Sequence, residues 1–174
     1  MTMTPFLRKF ALTAHITASV GWVGAVVAYL ALAVVTRTSQ DAQMVRAAYL
    51  ALEPITGFVL VPLAFASLLT GLVMSFGTPW GVFRHYWVVF KLFLTLFATI
   101  ILLGFTQTLD SMTSIAADPT TSISTLRAMG AGMNHAVGAL MVLFLIMILS
   151  VYKPRGMTRY GWRKQQKQRK MSQQ

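Results

Sequence analysis

The 174-residue chain contains no cysteine, which removes disulfides, thiolate nucleophiles and every zinc or iron–sulfur site built on sulfur ligands. It has only four acidic residues, Asp41, Glu53, Asp110 and Asp118, and none lies inside a membrane-length apolar run. A carboxylate relay through a bilayer therefore lacks its residues. There is no H-E-x-x-H and no glycine-rich phosphate loop, so zinc hydrolysis and nucleotide binding have no basis in the sequence. Charge of either sign is scarce: 11% of residues are charged against 56% hydrophobic, where a soluble domain carries roughly 25% charged residues.

Long apolar runs are what the chain has instead. Four segments, about 8–35, 55–76, 86–106 and 129–152, each supply the ~20 residues that cross ~30 Å of hydrocarbon. The first follows Arg8 and Lys9 as a signal peptide would. Its roughly 25 uninterrupted residues exceed the 7 to 15 of an h-region, so it is read as a mature helix. The expected fold is all-α: an integral membrane four-helix bundle over residues 1–152, then a basic tail over 153–174.

Charge sets the orientation. Eight of the fifteen basic residues (Lys153, Arg155, Arg159, Arg163, Lys164, Lys167, Arg169, Lys170) follow the last apolar run. With both termini cytoplasmic, the inner side also holds Arg8, Lys9 and Arg84, while the outer loops hold only Arg37, Arg46 and Arg127, as the positive-inside rule requires. The net charge of +11 is thus read as a topology signal and an anchor for anionic lipid, with no nucleic-acid partner. The expectation is a multi-pass protein of a plasma membrane.

The loops carry their own punctuation. Over 36–54, Ser39 or Asp41 can cap a short amphipathic helix lying at the interface, which ends as Pro54 opens the second span. Over 107–128, Asp118 and Pro119 mark a turn and Ser124 is available to cap the last helix. Pro62 should bend the second span. Beside it, Ala64, Ser67 and Gly71 form a small-residue contact face.

Chemistry concentrates on three helices. At 100° per residue, His15, Ser19, Trp22, Val26 and Tyr29 share a sector of about 80° on the first, flanked by Ala14, Ala18, Gly21, Ala25 and Ala28, small residues that admit a close neighbour. This face should point into the bundle. A histidine there is either a functional group or a structural one bonded to a neighbouring helix. Trp22 lies too deep for an interfacial belt and reads as core packing or the wall of a cofactor pocket. The third helix opens RHYWVVFK; Lys91 either snorkels inward or is paired, and with Arg84 it suits an anionic group such as a porphyrin propionate or a lipid phosphate.

Depth separates the candidates. At ~1.5 Å per residue, His15 lies ~10 Å, Lys91 ~7 Å and His85 ~16 Å to the inner side of their helix midpoints, whereas His135 lies ~7 Å to the outer side. Two histidines sharing one haem iron need nitrogens within about 4 Å, twice a bond of roughly 2.0 Å. His15 with His85, or His15 alone, therefore fits a haem iron better than His15 with His135. Asn134 and His135 form a second polar site or an interhelical hydrogen bond. Among the methionines, Met74, Met129, Met133 and Met141 keep a copper reading open, since thioethers suit Cu(I).

The stretch KFALTAHITASVGWVGA, with its basic residue, histidine and W-x-G, resembles the first helix of CopD-type copper-resistance membrane domains and of HemJ-type, haem-containing protoporphyrinogen oxidases. HYWVVFKLFLTL is similar to the start of their third helix. The closing VYKPRGMTRYGWRKQ looks like an uncharacterised bacterial family of four-span membrane proteins. The HemJ resemblance implies that His15 is a haem b ligand and that Lys91 belongs to the site. A non-catalytic assembly or interaction protein, acting as a homo-oligomer or with a membrane partner, stands as the alternative, with copper handling behind it.

Overall fold

The computed structural model describes residues 3–77, 81–154 and 156–171; Arg155 and the last three residues of the expected tail lie outside them. Apart from an isolated bridge between His85 and Met157, the regular structure among these residues is helical. Helix α1 runs Pro5–Thr38, α2 Ala42–Ile55, α3 Val61–Gly77 and α4 Tyr86–Ala117. After them come α5 at Ile123–Met129, α6 at Met133–Tyr152 and α7 at Arg159–Met171. Four stretches are long and apolar enough to cross a membrane: Pro5–Thr38, Ala42–Gly77, Tyr86–Ala117 and Ile123–Tyr152. This is the architecture of a multi-pass membrane protein.

Each span outruns the apolar segment that announces it. The 34 residues of α1 rise about 50 Å, well beyond ~30 Å of hydrocarbon. Hydropathy marks the part that lipid can surround, while backbone hydrogen bonds carry the helix on through polar residues at either end. The spans pack in a closed ring, α1 beside α3, α3 beside α4, α4 beside α6 and α6 beside α1. Phe65, Leu69, Phe93, Ile100, Phe144 and Ile148 face outward and exposed, as side chains bathed in lipid should.

The second span differs from its expectation. Asp41 does cap α2, its Oδ1 accepting from the Gln43 amide at 2.9 Å. The helix does not stop at Pro54, however, and α2 is no isolated surface helix, for it buries Val45, Ala48, Tyr49 and Leu52 against α1 and α4. It joins α3 through a widened π-type turn at Thr56–Leu60, closed by the Val61 amide donating to the Thr56 carbonyl five residues back. Pro62 follows at once. With no N–H of its own and a ring that crowds the preceding turn, it explains why the helix widens there.

The last span is also built in two pieces. Ser122, rather than Ser124, caps α5 by accepting from the Thr125 amide at 3.2 Å. Between α5 and α6, Gly130, Ala131 and Gly132 all take positive φ (71°, 44° and 64°). A Cβ at Gly132 would collide with the Phe105 ring, so glycine is required there on two counts. The start of α1, the end of α3, the 81–86 loop and the start of α7, which are the described segments nearest the termini, gather at one end of the bundle; the loops after α1 and α4 occupy the opposite end.

Candidate functional site

Two polar constellations stand in the bundle, one in each half, the second reaching its exposed surface at Asn134 and His135. In the half nearer the termini, His15 turns from α1 toward α3. Its Nδ1 lies 3.0 Å from Thr70 Oγ1. The Thr70 hydroxyl has a single proton, which it donates to the Ala66 carbonyl one turn back, so the imidazole must be the donor and Thr70 the acceptor. The proton thus sits on Nδ1, and Nε2 is left as a lone pair with no protein partner among the described residues.

The slot that holds the ring is made by Gly71. A Cβ there would stand 3.1 Å from His15 Cε1, tighter than ordinary van der Waals contact. One turn along, the Ser19 and Ser67 hydroxyls meet at 2.8 Å. Ala64 and Ser67 are buried, so the small-residue stripe of α3 is the face on which α1 sits.

Lys91 lies within electrostatic reach of His15. Its Nζ donates to Ser150 Oγ of α6 at 3.0 Å, and the Ser150 hydroxyl passes its own proton to the Ile146 carbonyl. That contact uses one of three ammonium donors. No carboxylate answers it, since the four acids of the chain belong to the opposite end: Asp41 and Asp118 flank its loops, and Glu53 and Asp110 stand exposed on α2 and α4. Thr95 and Thr99, both buried, extend the polar strip up α4 by donating to carbonyls four residues back.

Arg84 and His85 stand apart from this pair. His85 is the extended residue that precedes α4, bridged to Met157, with its ring 6.5 Å from that of Trp87. The Arg84 side chain folds over Gly81, and its carbonyl accepts from the Thr158 amide at 3.0 Å. The two therefore fasten the start of α4 to the tail, while His15 is held by α3. Among the described residues, no three His, Cys, Asp or Glu side chains come together to hold a metal ion.

Trp22 belongs to the other constellation. It is 3% exposed and lines a cavity of about 380 Å³ whose wall includes Asn134 and His135, not His15. Val26 and Tyr29 of α1 continue the wall, with Phe97, Ile101 and Phe105 of α4 across from them. The His135 ring stacks on Phe105 at 4.7 Å between centroids. Tyr29 meets the same Phe105 edge-on at 6.3 Å and donates its hydroxyl to the Ala131 carbonyl at 2.9 Å.

Several of these partners carry no motif. Thr70 could have been found as the residue one turn from Ser67 on the stripe face, and Ser150 as a lone hydroxyl at the end of its span. Phe105 could not, because its role depends on the left-handed turn that brings His135 over it. Compared with protein-family models, with curated proteins and with solved structures, the chain matches none.

Proposed function

We propose that this protein binds haem b within the half of its bundle nearest the termini, in a redox role, with both termini on the cytoplasmic side of a plasma membrane. One observation carries the reading: a histidine whose Nδ1–H is committed to Thr70, and whose Nε2 has no partner among the described residues. That is the arrangement by which second-shell acceptors prepare a histidine to ligate a metal. Support comes from Lys91, an interior cation with no carboxylate partner, which suits an anionic group such as a propionate. Arg84 at the head of α4 would add a second cation on the same side.

The residues suit the group in kind. His15 would supply the axial nitrogen, Gly71 would keep the imidazole in place, and Lys91 would meet the acid. Bound haem would bring one-electron chemistry that no side chain here provides.

The test is spectroscopic. Purified from haem-replete cells, the protein should show a Soret band that His15→Ala abolishes and Gly71→Val diminishes, since the valine displaces the ring without removing it. Lys91→Gln should weaken retention of the chromophore. Absence of the band, or an undiminished band in His15→Ala, would overturn the proposal.

A further inference from the structure

The cavity in the opposite half of the bundle is independent of His15 and has the features of a ligand site. Its walls are aromatic on two helices: Trp22 and Tyr29 of α1, Phe97 and Phe105 of α4. At about 380 Å³ it is roughly two and a half times the ~150 Å³ that accommodates a benzene ring. A substituted one- or two-ring head fits such a space.

The polar groups on its wall divide into spent and unspent. The Tyr29 hydroxyl is taken by the Ala131 carbonyl, and that of Thr56 by the Leu52 carbonyl. Trp22 is different: only 3% exposed, it lines the cavity, and its indole N–H has no acceptor among the described residues. Asn134 and His135 line the same space from the exposed side of α6 and make no hydrogen bond with the described residues. An indole N–H, an amide NH₂ and an imidazole thus offer donors to an apolar, aromatic chamber, which asks for a flat ring carrying acceptor oxygens.

The route in is lateral. Phe97 and Ile101 of α4 are 49% and 45% exposed, and Gly138 of α6 is exposed beside them on the cavity wall. These residues make the α4–α6 seam the exposed side of the cavity. Over the opposite end, the Gly130–Gly132 turn is pinned by Tyr29 and Tyr49.

We infer that this cavity binds the ring of a lipid-soluble quinone or quinol, its oxygens meeting Trp22, Asn134 and His135 and its chain passing out between α4 and α6.

Quinones quench indole fluorescence on contact, so Trp22 is a built-in reporter. The full chain in nanodiscs should show saturable quenching by a decyl-substituted benzoquinone, and Trp22→Phe should remove that component while Trp80, Trp87 and Trp162 remain. A Cβ at Gly138 meets nothing within 4 Å, so Gly138→Leu should fill the cavity without breaking the helix and abolish saturation. Asn134→Leu with His135→Leu should weaken quinone binding by about tenfold or more, the equivalent of one good hydrogen bond, and leave thermal stability in place. Non-saturable quenching would overturn the inference. So would equal displacement by a decyl alcohol, which means that an acyl chain fills the space, or unchanged affinity in the double variant. Because the readout is fluorescence with no haem signal, its failure is separable from failure at His15.

Discussion

The residues that hold this bundle together are small in number and specific in bonding. Ala131 has a left-handed backbone (φ 44°) that a non-glycine residue adopts at a cost of about 1–2 kcal/mol. It is held by side chains on both sides of its peptide: its N–H donates to Tyr49 Oη at 3.1 Å, and its carbonyl accepts from Tyr29 at 2.9 Å. Tyr49 also donates to the Leu126 carbonyl at 2.8 Å, and is fully buried. Tyr49→Phe would therefore strand one buried donor and one buried acceptor, at a cost of about 1–3 kcal/mol. The expected result is a lower thermal midpoint in detergent. An unchanged midpoint would mean that the turn is held by packing alone. At this scale the sequence is half legible. The 100° periodicity of α1 identifies His15, Ser19, Trp22 and Tyr29 as one face, but it cannot say that His15 will meet α3 while Trp22, two turns on, will meet α4 and α6. That division depends on the neighbours in the ring and on the path of the left-handed turn.

At the scale of elements, the end of the bundle opposite the termini is closed by arginines. Helix carboxyl ends leave carbonyls without intrahelical donors, and Arg46 of α2 supplies them for α4. Its guanidinium donates to the carbonyls of Ala116, Asp118, Pro119 and Thr121. Arg127 of α5 does the same beyond α1, donating to the Ser39 carbonyl and to Gln40 Oε1. The turn that Arg46 grips is set by Asp118, whose Oδ1 accepts from the hydroxyl and amide of Thr120 at 2.7 and 2.8 Å. Those hydrogen bonds hold its carboxyl below the usual range. Arg46→Lys keeps the charge but loses the planar fork. It should speed amide exchange at residues 118–121 while leaving the His15 end unaffected; exchange as slow as in the parent would show that charge suffices. From sequence, Arg46 and Arg127 read as loop charges, because a side chain bonding to carbonyls some 70 or more residues away leaves no local pattern. Pro62 was legible as a disturbance, though its form, a π-type turn placed just before it, needed the backbone.

For the molecule as a whole, charge and polarity are distributed along one axis. The tail's Arg159, Arg163, Lys164, Lys167, Arg169 and Lys170 lie on α7 without an acid among them, and Tyr160 and Trp162 of that helix are exposed, a pattern suited to an anionic interface. Thr158 ties this helix to the bundle by donating to the Phe83 and Arg84 carbonyls. At the other end, two of the three basic residues, Arg46 and Arg127, are already bound to carbonyls. Orientation should therefore depend mainly on the tail. Leaving out Lys91, the terminal end has Arg8, Lys9, Arg84 and eight tail cations against Arg37, Arg46 and Arg127, eleven to three. A cytoplasm-active fluorescent fusion behind residue 174 should be bright, and a periplasm-active phosphatase fusion silent. Changing all eight tail cations to Gln leaves three basic residues at each end, and both fusions should then report activity as the chain inserts in both directions. If the neutralised chain keeps a single orientation, the tail is not the topology signal, and its charge must be assigned to lipid or a partner instead.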